Sequence, residues 1–511
     1  MSIRSNRGSR SWRRAVGFRI GAIVLGLLPL VMLEFVLRAG GWGRPGDVDD
    51  PYVGFASTSP LFQLTADGQS YEIAPGRLEY FRPESFSARK GPREFRIFCL
   101  GGSTVQGRPY STETSFTAWL ELNLKAADDR REWNVINCGG VSYASYRLTP
   151  ILRETLAYQP DLYILYTGHN EFLEERTYGE IRRHAMYSDG RLAAMVRRTH
   201  LYGLSRSAWE QWWEDDHPAE PRPILPGEVD ALLDYRGGLE AYHHDELWRE
   251  AVVEHYKFNL CQMVGLARDA GVPLLFVDPI SNQKDSPPFK VEHAPKLSAA
   301  SKAEFDQRWN EVFPQETNRS DPPAARDLGQ VTSAERIDLL GEASRIDPFH
   351  AAAHFALARA LESAGRRHEA AAEYVAARET DVCPLRMIEP LHRALRSVAT
   401  QTGTPLLDAN NIIAGDTPVG LIGDEWLVDH VHPSVASHQR LAAGIFDQLV
   451  SMGVIETNAE VEQRRAILYA RHLESLDPAY FERGKQRLAG LRMWAEGRAN
   501  KVRNGPVEHH P

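Results

Sequence analysis

From residue 95 onward the chain alternates between two hydrophobic periods. Short apolar runs read as strands: FRIFCL (95–100), WNVINC (133–138), DLYILYTG (161–168), VPLLFVDP (272–279) and TPLLD (404–408). Between them, apolar residues recur at helical spacing in SFTAWLELNLKAA (115–127), in 145–158, in 246–271 (closed by Gly271) and in 386–402. The near-continuous run at 161–168 suits a strand covered on both faces. The alternation predicts an α/β fold: a parallel five-stranded sheet with helices on both sides. In such sheets ligands gather at the carboxyl ends of the strands.

Two stretches break the pattern. Residues 172–245 contain SAWEQWWEDDHPAEPRPILP, dense in Trp, acid and Pro. This excursion reads as a lid, a membrane-proximal surface, a partner face or plain surface decoration. Residues 285–385 form a helical insertion. Within it DPFHAAAHFALARALESAGRRHEAAAEYVAARETD (347–381) resembles the helix–turn–helix unit of tetratricopeptide repeats, whose period is about 34 residues. Residues 333–347 resemble the second helix of a preceding, degenerate unit. One and a half units need the main domain or a protein partner to cover their open face; a plain helical insert is the alternative. The α/β domain is then expected in three parts, 93–171, 246–284 and 386–452. Residues 38–92 read as a linker and irregular lead-in, and 453–511 as a helical tail.

The N-terminus departs from the rest. Residues 1–19 carry Arg4, Arg7, Arg10, Arg13, Arg14 and Arg19 and no acid, and IGAIVLGLLPLVMLEFVL (20–37) follows, interrupted only by Pro29 and Glu34. A bilayer core needs about 20 mostly apolar residues. The segment reads as a single-pass transmembrane signal anchor, with Glu34 close enough to the far end to snorkel. The arginines would stay cytoplasmic. The rest would then be extracytoplasmic, in the periplasm of a Gram-negative cell. A cleaved signal peptide and a buried cytosolic helix are the alternatives; no A-x-A site follows the run.

Composition removes other classes. The 511 residues are 43% hydrophobic and 25% charged, the balance of a globular chain, and the net charge of -9 gives no global nucleic-acid footprint. Cys99, Cys138, Cys261 and Cys383 lie far apart with no C-x-x-C, so they read as core thiols rather than a zinc site or a disulfide framework. No cofactor is expected.

The strand FRIFCL stops on Gly101-Gly102-Ser103. The turn is either a simple reversal or a device that presents a hydroxyl at the end of a sheet. Acyl transfer needs a nucleophile, a base, a group to orient the base and donors for the oxyanion. DEWLVDHVHPS (424–434) supplies Asp429 and His432, three residues apart, which a turn or tight loop points the same way. Asp429 would fix the His432 tautomer through Nδ1 and leave Nε2 for Ser103. The alternative for DHVH is a metal pair of His430 and His432 with Asp429. Donors are offered at two further strand ends: Gly139 or Gly140 in NCGGVS, and Asn170 in YTGHNEF.

In their order these blocks resemble the SGNH, or GDSL-like, hydrolase superfamily, through LGGST, INCGG, GHNE and DHVH. The resemblance spans residues 95–450. It implies a flavodoxin-like three-layer α/β/α fold, Ser103 as nucleophile, Asp429 and His432 completing the triad, and Gly139 or Gly140 with Asn170 in the oxyanion hole. Departures are present: the usual G-D-S reads Gly-Gly-Ser, and the usual N-D reads Asn170-Glu171. Further stretches, 278–289 and 421–434, resemble a bacterial branch that joins this domain to tetratricopeptide helices. The expected activity is a membrane-anchored serine esterase acting on acylated envelope glycans or lipids. An O-acyltransferase needs the same groups, and a decayed scaffold that binds protein partners is the non-enzymatic alternative.

Overall fold

The computed structural model describes residues 25–495 except 27, 41, 43–49, 51, 57–58, 177–198, 206–207, 209–223, 235–236, 315–331, 416 and 418–419. Five parallel strands form the central sheet: β1 Glu94–Gly101, β2 Glu132–Gly139, β3 Leu162–Tyr166, β4 Leu274–Asp278 and β5 Leu406–Asp408. Their spatial order is β2-β1-β3-β4-β5, in register from Phe98↔Ile136 and Phe98↔Tyr163 outward. The strand order reverses between β1 and β3, the point where doubly wound sheets open a crevice. Five parallel strands need crossovers, and the helical stretches provide them.

Side chains of β1 divide between two cores because strand residues alternate faces. Phe98 and Leu100 join Leu148, Leu152, Val252, Tyr256, Leu391 and Leu395, and so meet the helices at Ser145–Thr155, Glu246–Asp269 and Glu389–Thr402. Ile97 and Cys99 join Trp119, Leu120, Leu441 and Ile445 on the opposite face. The helices that frame the sheet and carry the insertion and tail are, in chain order, α1 Ser103–Gln106, α2 Phe116–Ala127, α3 Ser145–Thr155, α4 Glu246–Asp269, α5 Ala299–Val312, α6 Ser333–Ile346, α7 Ala351–Ser363, α8 Arg367–Glu379, α9 Glu389–Thr402, α10 Val435–Ser451, α11 Val461–Ser475 and α12 Pro478–Ala495, with a short helix at Ala409–Ala414 left unnumbered. Cys99, Cys138 and Cys383 are buried free thiols, and Cys261 is a half-buried one.

The 285–385 stretch builds α5 to α8. The helices α6 and α8 begin at Ser333 and Arg367, about 34 residues apart. Leu340, Leu357, Leu361 and Tyr374 make a small core of their own with Val312 and Phe313 of α5 and its C-terminal turn. The lead-in at 38–92 is more regular than its composition predicts. Phe62–Leu64, Ser70–Ile73 and Ser85–Ser87 form an antiparallel sheet, with Gly68 in a left-handed turn (φ 70°). Phe62 and Phe86 pack edge-on at 5.0 Å and reach Phe98 of β1. Burial of three aromatic rings stabilises a sheet too short to persist alone.

Residues 1–51 and 184–221 form a separate unit. In it, residues 28–40 are helical. Glu34 there pairs with Arg38 (2.7 Å) and accepts the N–H groups of His200 and Leu201 at 3.0 and 2.9 Å. No helix among the described residues is long and apolar enough to cross a membrane. The predicted span at 20–37 lies partly, and the arginine-rich tail wholly, outside the described residues. Most of the Trp-rich excursion lies outside them too.

One buried ion pair anchors the loop after β3. The Arg147 guanidinium donates twice to Glu174 at 2.6 Å, and both side chains are almost fully buried. Glu174 also accepts from Tyr146 Oη (2.7 Å) and the Asp230 N–H (3.0 Å). Removing one partner strands the other charge in the interior. Glu174→Ala is expected to cost about 3–5 kcal/mol of stability, read as a lower urea midpoint at unchanged m.

Candidate active site

The carboxyl end of β1 is built from two glycines because two neighbours come too close for a side chain. A Cβ on Gly101 would overlap the Tyr166 carbonyl and the Val105 side chain, and one on Gly102 would overlap the Asn170 amide. The chain then turns into α1, with Ser103 at its first position and Gly107 (φ 90°) closing it. Asn137 of β2 fixes this short helix. Its Nδ2 donates to the Val105 carbonyl (2.7 Å) and to Thr117 Oγ1 (2.9 Å). Gly139 has no side chain to keep α1 away, since a Cβ there would strike the Gln106 backbone.

His432 Nε2 lies 2.8 Å from Ser103 Oγ, across 329 positions of sequence. Its Nδ1 lies 2.7 Å from Asp429 Oδ2. The other carboxylate oxygen accepts the N–H groups of Val431 (2.9 Å) and His432 (2.8 Å). These bonds hold the acid and the base in one tight loop, which the Val428 N–H closes onto the His432 carbonyl (2.9 Å). All three side chains are buried. Burial pushes the Asp429 carboxyl up. The charges of His432 and His430 and the hydrogen bonds from His432 outweigh it and hold the group well below the ordinary carboxylate range. With Nδ1 on Asp429 and Nε2 on Ser103, neither ring nitrogen of His432 is left for a metal ion. His430 packs edge-on against Phe289, rings at 5.0 Å, with its Nδ1 3.7 Å from Asp429 Oδ1, and burial pushes it down to about 4 against the pull of Asp429.

Asn170 lies beside Gly102 and donates through Nδ2 to the Tyr143 carbonyl at 3.0 Å. An amide nitrogen carries two hydrogens, so one remains. The two glycines at the end of β2 require a correction. The Gly139 N–H donates to Asn137 Oδ1 (3.0 Å), and the Gly140 N–H donates to the Gly101 carbonyl (3.0 Å). The first is spent within β2 and the second on holding the end of β2 to β1. The residue that the sequence did not single out is Ser142, in the left-handed region at φ 62°. Among the described residues its N–H has no partner, and the next residue carries the carbonyl that binds Asn170. Nothing in a serine codon position announces a positive φ, so periodicity and motif spacing both pass over it.

No protein-family profile matches this chain, and no curated protein does. Solved structures do. One is a catalytic mutant of an acetylxylan esterase from Geobacillus stearothermophilus, 12% identical, covering 71% of this chain and 96% of its own, at a TM-score of 0.30. Another is a lipase/acylhydrolase from Enterococcus faecalis, 11% identical, covering 71% of this chain and 98% of its own, at a TM-score of 0.31. The chain resembles the SGNH-type hydrolases. The order of its blocks and their places at strand ends carry that resemblance. Where the SGNH pattern has Asp after Asn, Glu171 is buried and accepts from the Ser145 N–H and Ser145 Oγ, both at 2.9 Å. The longer stem thus reaches the first residue of α3, the helix that follows the Ser142 loop. Burial pushes its carboxyl up, opposed by Arg176 and Ser145.

Proposed function

We propose that the protein is a serine esterase of the SGNH type, with Ser103 as nucleophile, His432 as general base and acid, and Asp429 as the group that orients and stabilises His432. The observation that carries it is the continuous chain Ser103 Oγ–His432 Nε2 and His432 Nδ1–Asp429 Oδ2, at 2.8 and 2.7 Å. His432 Nε2 takes the hydroxyl proton as Ser103 Oγ bonds to the ester carbonyl carbon. The oxyanion is received by the N–H of Ser103, the free hydrogen of Asn170 Nδ2 and the N–H of Ser142. Collapse of the intermediate breaks the bond to the alcohol, which leaves with the proton from His432. Water then repeats the cycle on the acyl-Ser103, giving the acid and the free enzyme.

The test is reaction of the full chain with a fluorophosphonate probe, followed by mass mapping, together with hydrolysis of acetyl esters. A phosphonyl group on Ser103 is expected, and folded protein that neither labels nor hydrolyses any ester overturns the proposal. Asn170→Ala is expected to lower kcat about 100- to 1000-fold with little change in KM, as loss of one oxyanion donor does. Product analysis with an added sugar acceptor separates hydrolysis from O-acyl transfer. The proposal extends to place and partner. The arginine cluster and apolar run at the N-terminus would anchor the enzyme, with its α/β domain outside the cytoplasm facing acylated envelope glycans or lipids. The helices α5 to α8 would offer a face to a protein partner. Fractionation of cells expressing the full chain, with protease protection, checks the anchor.

A further inference from the structure

Among the described residues, three arginines without a carboxylate partner belong to the segments around the loop that follows Ser103. Arg108 follows the Gly107 cap of α1, and its own N–H donates to the Ser103 carbonyl at 3.1 Å. Arg82 lies two residues past Tyr80, whose carbonyl accepts the Val141 N–H (2.9 Å) and Gln106 Nε2 (2.8 Å) and so ties this segment to α1 and to the Ser142 loop. Arg487 arrives from α12, and its guanidinium donates to the Pro109 carbonyl at 3.3 Å and to that of Tyr110.

The helix α12 is well fixed over this edge. Tyr480 Oη meets Thr114 Oγ1 at 2.8 Å, the Tyr480 and Tyr110 rings stack at 6.0 Å, and Arg492 donates to the Val428 carbonyl at 2.9 Å. Val428 precedes Asp429. The helix therefore bridges the loop after α1 and the loop that bears Asp429 and His432, and brings Arg487 with it.

The side-chain accounting of these arginines is incomplete. Nε of Arg82 and of Arg108 is shut off from solvent and makes no hydrogen bond. Among the described residues none of the three guanidinium groups is ion-paired. Burial, reinforced by Arg82 and Arg487 and opposed by Asp429, pushes Arg108 down to about 10. Burial and Arg487 lower Arg82 as well, against Glu113 and Tyr480. Three cations held close in a partly dry place, in a chain of net charge -9, destabilise one another unless an anion joins them. A guanidinium fork matches the paired oxygens of a carboxylate or phosphate.

We propose that Arg82, Arg108 and Arg487 form an anion subsite, and that the ester cleaved at Ser103 carries a carboxylate or phosphate on the group flanking the scissile bond. This rests on the esterase reading above, and it adds a substrate class to it. The test compares three acetylated methyl glucosides that differ only at C6: the neutral sugar, its uronate and its 6-phosphate. The parent is expected to favour at least one charged ester over the neutral one by roughly 10- to 100-fold in kcat/KM, as one or two charge-assisted hydrogen bonds would give. Which charged ester gains tells carboxylate from phosphate. In Arg108→Gln and in Arg487→Gln that ratio is expected to fall towards one, and Arg487→Lys should keep part of it. A ratio near one in the parent, or an unchanged ratio in both Gln variants, overturns the subsite. Should the esterase reading itself fail, with no labelling and no turnover, the subsite is still read by calorimetry on the full chain. Glucuronate or glucose 6-phosphate binding that glucose lacks, and that Arg487→Gln loses, supports it. Absence of such binding in the parent overturns it.

Discussion

Ser103→Ala is expected to abolish fluorophosphonate labelling and to lower kcat for ester hydrolysis by about a million-fold. The size follows from what the hydroxyl does. Without Oγ no acyl-enzyme forms, and His432 has no proton to take. What remains is the pull of the oxyanion donors on a carbonyl that must meet water directly, which leaves a residual rate above the uncatalysed one. The fold should not suffer. Ser103 Oγ has His432 Nε2 as its one described partner, and α1 is held by Asn137 and by Gly107 rather than by the hydroxyl. The checks are therefore a labelling gel, steady-state rates and a thermal transition within a few degrees of the parent. A variant that still hydrolyses esters within a hundredfold of the parent rules out Ser103 as nucleophile. Combining Ser103→Ala with His432→Ala should add almost nothing, because the two act on one proton.

The frame of this molecule is visible in its sequence where burial is uniform. Residues 97–100, 135–136 and 162–166 are wholly apolar because helices cover both faces, and such runs leave little room for another reading. Ser103 stood out because two glycines end a buried strand, and close approach of Tyr166 and Asn170 is what demands them. The pair Asp429 and His432 was readable because three residues of loop suffice to join them. Tertiary contacts explain the rest. Phe62, Tyr71 and Phe86 sit among polar residues, and only packing on Tyr158 and Phe98 makes their short strands a sheet. The two glycines at the end of β2 looked available as donors, yet sheet and side-chain bonds consume both N–H groups. That consumption depends on register with β1 and on the rotamer of Asn137, neither of which a linear pattern contains. The same holds for α12. Its helical pattern was plain, but its place beside Ser103 depends on Tyr480, Arg487 and Arg492 finding partners more than 60 residues away or further in the chain.

The second large effect is expected from Asp429→Asn, a change of one atom. In the parent, Oδ1 accepts two backbone N–H groups, and Oδ2 faces His432 Nδ1. An amide has only one oxygen. Placing its NH2 towards Val431 and His432 would set donors against donors, so the oxygen stays with the backbone and the NH2 turns to the imidazole. Nδ1 must then accept, and the ring proton moves to Nε2. That nitrogen can no longer take the Ser103 proton. The expected loss in kcat is about 10⁴-fold at neutral pH, with the chain still folded and Ser103 still present. Stability carries a second, independent signature. The carboxyl is held far below its ordinary value of 3.8, so in the parent its ionised form stabilises the fold at every pH above the unfolded-state value. That contribution declines as pH falls below about 4 towards the folded-state value. Asn cannot titrate. The difference in unfolding free energy between parent and Asp429→Asn should therefore shrink as the pH falls below about 4. Urea transitions across that range measure it. A difference that grows as the pH falls below about 4, or a kcat within tenfold of the parent, removes Asp429 from the role of orienting His432.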